Sequence, residues 1–278
     1  MSKAVTSASQ SGAVRASAAI LIGLTIIALL VPMISPNNHT SIDLGNTLAP
    51  PALEDGHLFG TDDLGRDQLV RTMKGMQVTL LVAVVASLVS LVIGVVYGAV
   101  AGFAGGRVDA VMMRFVDTLY AMPFIFFVIL IMVVFERNIF LMFVAIGAVN
   151  WLDMARIVRG QTLSLKQRSF VAAARLIGVP TWSILIKHIA PNLFGIVIVY
   201  LTLTIPQAIL VESFLSYLGL GVQEPGTSLG SLVRNGVDYM ESAPWVLLIP
   251  GSLLAVVLLA FNFLGDGLRD IVDARQER

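Results

Sequence analysis

Six apolar runs, each near the length needed to cross a lipid bilayer, leave this chain few ways to fold. They start near Ser17, Val78, Val111, Ile139, Leu193 and Pro244. Crossing hydrocarbon takes about 20 mostly apolar helical residues, and only helices or closed barrels satisfy their backbone there. Hydrophobic residues make up 56% of the 278 and charged residues 13%, with mean hydropathy +0.86. Soluble domains carry about 25% charged residues. The expected fold class is therefore an all-α polytopic membrane protein with six transmembrane helices. The first run, about Ser17 to Ile34, is longer than the roughly 7–15-residue core of a secretory signal and lacks a small-x-small cleavage site. It is read as a retained anchor.

Six crossings put both termini on one side. With that side in the cytoplasm, inner segments hold Lys3, Arg15, Arg107, Arg114, Arg269, Arg275 and Arg278 together with a basic loop. Outer segments hold Arg66, Arg71, Lys74, Arg137, Arg234 and most of the acids. Basic residues beside spans are retained in the cytoplasm, so this orientation is expected. The chain then divides into a disordered cytoplasmic tail (1–16), a first span (17–35), an outer loop (36–77), a five-helix core (78–264) and a cytoplasmic C-terminal tail (265–278).

Within the core, no acidic residue lies between Asp153 and Glu212, and Arg156, Arg159, Lys166, Arg168, Arg175 and Lys187 fall in that stretch. It contains the cytoplasmic loop, 160–192. From Leu163 to Gly178 the residues favour helix, with Ala172, Ala173 and Ala174 in a row. Gly178 suits a helix stop and Pro180 prevents continuation. Thr181 is placed to cap a second helix in which Trp182, Leu185, Ile186 and Ile189 recur on one apolar face, and Pro191 is expected to end it. The spacing predicts a helix-turn-helix elbow outside the membrane. Its small side chains let another surface approach the backbone; a hairpin packed only on its own bundle is the alternative.

The remaining signals are local. Cysteine is absent, which excludes disulfides, thiolate metal sites and cysteine nucleophiles. His39, His57 and His188 fall in no metal-ligand spacing, and a formal net charge of zero gives no nucleic-acid footprint. Gly94, Gly98 and Gly102, four apart, permit close backbone approach in a moving or a static helix pair. Pro123, Pro206 and Pro250 are candidate bends, and Pro206 stands beside Thr202, Thr204 and Gln207 as a candidate polar path. In the outer loop, Glu54, Asp55, Asp62, Asp63 and Asp67 belong either to a solvated connector or to a docking surface. Thr61 or Asp62 is placed to cap a short helix on the membrane surface. The last outer loop is Gly-rich and carries Glu224, Asp238 and Glu241. Asp153 is expected to pair with Arg156 at helical spacing, beside Arg159. Glu212 is expected to bond within the bundle, and Asp266 and Arg269 to lie on the cytoplasmic surface. No nucleophile–base pair, paired-carboxylate site or metal cage is apparent.

Phe170-Val171-Ala172-Ala173-Ala174-Arg175-Leu176-Ile177-Gly178, followed by His188-Ile189-Ala190-Pro191-Asn192, resembles the Glu-Ala-Ala loop of ABC importer permeases. Ala172 replaces the family glutamate and Ala190 the usual leucine, while the spacing from position 172 to Gly178 to Pro191 is intact. Further segments are similar to the peptide and nickel branch: Phe59 to Asp67, Gly105 to Asp109, Trp151 to Gln161, Glu212 to Gly221 and Phe261 to Asp270. Within that branch they look most like the C-type oligopeptide permeases, with dipeptide and nickel permeases as relatives.

The resemblance implies a multi-pass permease of the bacterial inner membrane, not itself an enzyme, forming half of a pore for oligopeptides. It implies a second homologous permease, two ATPase subunits and a periplasmic or extracellular peptide-binding protein as partners, besides membrane lipid. ATP and Mg are expected on the ATPases. The chain lacks the Gly-x-x-x-x-Gly-Lys-Ser/Thr phosphate loop and is expected to hold no cofactor. The coupling residues would be Ala172, Ala173, Ala174, Arg175, Gly178, Val179, Pro180, Thr181 and Trp182. A carrier driven by an ion gradient and a membrane hydrolase are the rival classes. The first is opposed by the lack of visible inverted repeats, the second by the lack of a nucleophile.

Overall fold

The computed structural model describes residues 2–52, 56–134 and 139–276. Glu54, Asp55, Arg137 and Arg278 lie outside the described residues. The helices are α1 (Ser2–Ile34), α2 (Gln68–Ala104), α3 (Gly106–Tyr120), α4 (Phe124–Val134), α5 (Ile139–Lys166), α6 (Ser169–Leu176), α7 (Thr181–Ile184), α8 (Ala190–Tyr217), α9 (Leu229–Val237) and α10 (Trp245–Gln276). A single π-helical stretch, Leu185–Ile189, joins α7 to α8. Among the described residues the only extended pairings are the isolated bridges Ala52–His57 and Thr61–Asp67.

Among the described residues, five helices are long and apolar enough to cross a membrane, and a sixth crossing exists if α3 and α4 count as one. Those two meet at 77°, so the third expected span is broken. The cause lies at Ala121-Met122-Pro123: proline disfavours helical geometry in the residue before it and cannot donate its own backbone bond. By contrast, α8 runs on through Pro206 and α10 through Pro250.

Three boundaries differ from expectation. The segment before Ser17, read as a disordered tail, is helical from Ser2. At the other end α10 continues past Leu264 to Gln276. The second span starts ten residues early, at Gln68, because Asp67 caps it and accepts from the Val70 N–H at 2.8 Å. There is no separate surface helix capped by Thr61 or Asp62.

The bundle is organised by the pairing of α2 with α5, the most extensive helix–helix contact. A Cβ on Gly94 would lie 2.5 Å from the Met154 Cβ, and one on Gly102 would lie 2.7 Å from the Arg159 carbonyl oxygen. One on Gly98 would overlap the Ala155 carbonyl oxygen. Gly147 on α5 reciprocates against Val89. Without these glycines the backbones cannot come so close. Around this seam lie two large apolar cores and a small third one of Val116, Trp151, Leu152 and Ala155. The larger joins Met76, Val82 and Ala86 of α2 to Met142 and Ile146 of α5, Ile209 and Leu215 of α8, and Val257 of α10. The second sits at the elbow end, where Phe103, Met154 and Val158 meet the loop.

Gly98→Leu is expected to force the seam apart, costing at least about 1–3 kcal/mol of overpacking, with Gly98→Ala intermediate. Thermal unfolding in detergent checks this. Gly23→Ala is the control, since nothing lies within 4 Å of its added Cβ.

Candidate functional site

The elbow is a hairpin with two unlike faces. α6 ends on a Schellman turn: Gly178 N–H donates to the Arg175 carbonyl at 3.0 Å and Val179 N–H to the Ala174 carbonyl at 3.0 Å. That turn needs the left-handed conformation of Gly178, φ +79°, which a glycine adopts without steric penalty. The inner face, Val171, Ala174, Ile184, Leu185 and Ile189, is buried against Phe103 and Val158. On the outer face Ala172, Ala173, Arg175, Gly178, Pro180, Thr181 and Trp182 are exposed. Trp182 is 64% exposed, Leu176 88% and Ile177 81%. Three large apolar side chains thus stand clear of the bundle.

Several expectations at the elbow change. The first elbow helix is α6 alone, because α5 carries on to Lys166 and a turn intervenes. Ala174 points inward and Val179 is half-buried. Trp182 and Ile186 are exposed, so the apolar face of the second helix is Ile184, Leu185 and Ile189. Pro180 rather than Thr181 occupies the cap position, without a side-chain bond. Pro191 does not end the helix. It sits in the first turn of α8, and the preceding π turn, in which Ala190 N–H reaches the Leu185 carbonyl, widens the coil ahead of the pyrrolidine ring.

The elbow is tied to the bundle by its basic residues. Lys166 Nζ donates to the Phe103 carbonyl at 2.6 Å, and the Arg175 guanidinium lies 5.6 Å from the Phe103 ring centre. Two turns back along α5, Arg159 grips Asp109 of α3 with two bonds, one of 2.7 Å between Nη2 and Oδ2. Arg156 reaches Asp117 of α3 at 2.8 Å and stacks over Tyr120 at 4.2 Å. Asp153 accepts from the Tyr120 hydroxyl at 3.1 Å instead of pairing with Arg156. The expected local pair is replaced by cross-helix ones, because α3 offers two carboxylates along the same face of α5.

At the opposite end, the loop expected to face outward is not a plain solvated connector: Asp62 and Asp67 are buried and paired. Asp62 is its hub. Its Oδ1 accepts from the Leu64 and Arg66 N–H groups at 3.0 and 2.9 Å. Its Oδ2 meets Arg66 Nε at 2.7 Å, and Arg71 Nε at 3.1 Å in an ion pair without hydrogen-bond alignment. Both arginines reach Glu224, at 2.7 and 3.1 Å. His57 lies 2.8 Å from Asp67. Glu212, buried in α8, is held as expected within the bundle: Ser216 donates at 2.7 Å and Thr79 at 3.2 Å.

Sequence reading missed Leu176 and Ile177 as exposed apolar groups, and Asn150 and Tyr120 altogether. Asn150 in the middle of an apolar run was the available signal.

Apolar helices long enough to cross a membrane define a multi-pass α-helical membrane protein. The chain belongs to the family of binding-protein-dependent transport system inner membrane components, whose pattern matches residues 94–278. It is 54% identical over 264 residues to the oligopeptide transport system permease protein OppC of Escherichia coli K12, covering 94% of this chain and 87% of that one. The protein of that name in Bacillus subtilis 168 is 42% identical, covering 92% and 85%. The dipeptide transport system permease protein DppC of the same organism is also 42% identical, covering 93% and 81%.

Arg71 has a side chain 1% exposed and Asp62 one 5% exposed. Arg71→Met is expected to destabilise the end that holds them by about 1–3 kcal/mol, since Asp62 and Glu224 each lose one charged partner while keeping Arg66; thermal unfolding in detergent reads this out. His39 gives a pH signature. Burial, then Lys74, then Arg71 hold its pKa below the usual 6.5. The folded loop therefore binds fewer protons than the unfolded one, and this contribution is lost as pH falls from about 6.5 through the lower folded value. Hydrogen-exchange protection in residues 35–52, corrected for the intrinsic exchange rate at each pH, should be lower at pH 5 than at pH 7.5, and His39→Gln should flatten the difference.

Proposed function

We propose that the chain is one permease subunit of an ATP-driven importer and forms half of a translocation pore for oligopeptides. The names of its relatives support that cargo, as does an identity of 54% over most of both chains. The observation that carries the mechanical part is the unlike pair of elbow faces. A hairpin anchored by Val171, Ile184 and Ile189 leaves Leu176, Ile177 and Trp182 uncovered. Exposed apolar groups clustered on a rigid turn mark a protein contact.

The occupant of that contact is an ATPase subunit, which holds the ATP and Mg. Ala172, Ala173, Arg175, Gly178, Pro180, Thr181 and Trp182 meet it, with Leu176 and Ile177 added; Ala174 and Val179 support the turn from beneath. Alanine at 172 leaves the first turn of α6 without an acid, so coupling rests on shape and apolar burial, not on a carboxylate there. The elbow and both termini lie in the cytoplasm of a bacterial inner membrane, in line with the basic residues retained there. A second permease completes the pore and an external binding protein delivers the peptide. Dipeptide cargo is the second reading, favoured by the dipeptide permease of Bacillus subtilis.

Trp182→Glu and Leu176→Glu are expected to weaken ATPase association about 30-fold each, the effect of losing about 2 kcal/mol at an interface anchor. Gly178→Pro does the same by abolishing the turn. Co-purification of the ATPases and ATP-driven peptide uptake are the measurements. An intact complex from all three variants overturns the elbow's role, and uptake that survives ATP depletion but stops with the proton gradient favours a secondary carrier.

A further inference from the structure

The break in the third crossing has a physical consequence. Beneath the bend between α3 and α4 a cavity of about 520 Å³ opens toward α5 and α8. Most of its wall is apolar, with Met122, Phe127, Ile131 and Val211 among the lining residues. Three polar side chains stand in it: Asn150 and Asp153 one turn apart on α5, and Gln207 on α8. The Asn150 amide nitrogen is buried and, among the described residues, has no hydrogen-bond partner. Tyr120 occupies one oxygen of Asp153.

A buried amide donor left without a partner needs an occupant that accepts a hydrogen bond. A lipid tail cannot, since hydrocarbon offers neither donor nor acceptor. The main chain of a helix from another subunit is already internally bonded. An extended peptide meets the requirement, because each of its peptide units presents one donor and one acceptor, and a carboxamide carries both. Two neutral carboxamides also discriminate little among side chains, and apolar walls accept them without ionic preference.

We propose that this cavity is where this half of the pore holds the main chain of a peptide in transit. Asn150 and Gln207 bond its amides, and Asp153 receives its terminal ammonium at the elbow end. The proposal rests on the peptide cargo inferred above and adds the residues that contact it.

The test uses the complete transporter in proteoliposomes, with labelled tripeptides and the same peptides N-methylated on the backbone. Asn150→Leu/Gln207→Leu should lower uptake at least tenfold and lose wild-type discrimination against the N-methylated form, while ATPase stimulation by the binding protein persists. Phe127→p-benzoylphenylalanine, in a chain otherwise unchanged, should cross-link to labelled peptide during turnover, which keeps the test independent of whether the double variant folds. Unchanged uptake by a folded double variant, or cross-links to lipid or to the second permease alone, overturns the site while wild-type uptake stands. A wild-type assembly that takes up no peptide removes the cargo reading and this site with it.

Discussion

The approach of α2 to α5 is the contact on which the remainder of the bundle is built. Inside a bilayer helices gain little from hydrophobic association, and close packing of small residues takes its place. Gly94, Gly98 and Gly102 on one helix and Gly147 on the other supply that packing. With the backbones this near, Lys166 at the end of α5 reaches the carbonyl that ends α2. The elbow leaves α5 two residues later, so its position is set by the seam. α3, in turn, is strapped to the same α5 by Arg156 and Arg159.

The two ends of the molecule hold their charges differently. At the outer end, Asp62, Arg66 and Arg71 have side chains only 5%, 6% and 1% exposed. Breaking such a pair leaves a desolvated charge, so that end is rigid. At the elbow end, Arg156 and Asp117 are 39% and 57% exposed, and water compensates most of what is lost when they part. Resistance to movement is therefore concentrated at the outer loops. Within the strap between α3 and α5, the Arg156–Asp117 pair beside the cavity can be remade at low cost, while Arg159 holds Asp109, whose side chain is only 11% exposed.

Periodic and compositional features were legible from the chain: the apolar crossings, the glycine seam, the stop at Gly178 and the bonding of Glu212 within the bundle. Each depends on neighbours in sequence or on hydrocarbon as solvent. What escaped depends on distant partners. The first ten residues of α2 look polar, yet Gln68 donates to the Val246 carbonyl at 3.1 Å and Arg71 is paired across 153 residues; those partners come from the first turn of α10 and from a loop, both far along the chain. Asp153 and Arg156 were matched by spacing, and α3 outcompeted that spacing with Asp117 and the Tyr120 hydroxyl. Trp182 shares an apolar face with Leu185, Ile186 and Ile189 by helical period, but the π turn after Ile184 shifts the period before that face is complete.

That same π turn makes the elbow's second arm and the crossing after it one uninterrupted rod, Thr181–Tyr217, of 37 residues. At about 1.5 Å per residue it is roughly 55 Å long. A pivot near its middle turns it into a lever: a tilt of about 5° carries each tip roughly 2 Å in opposite directions. The tip beyond Glu212 ends in a glycine turn at Gly219, with φ +79°, packed beside the Arg234 guanidinium. Displacement imposed at Trp182 would thus be carried, reversed in sense, to the opposite end of the bundle.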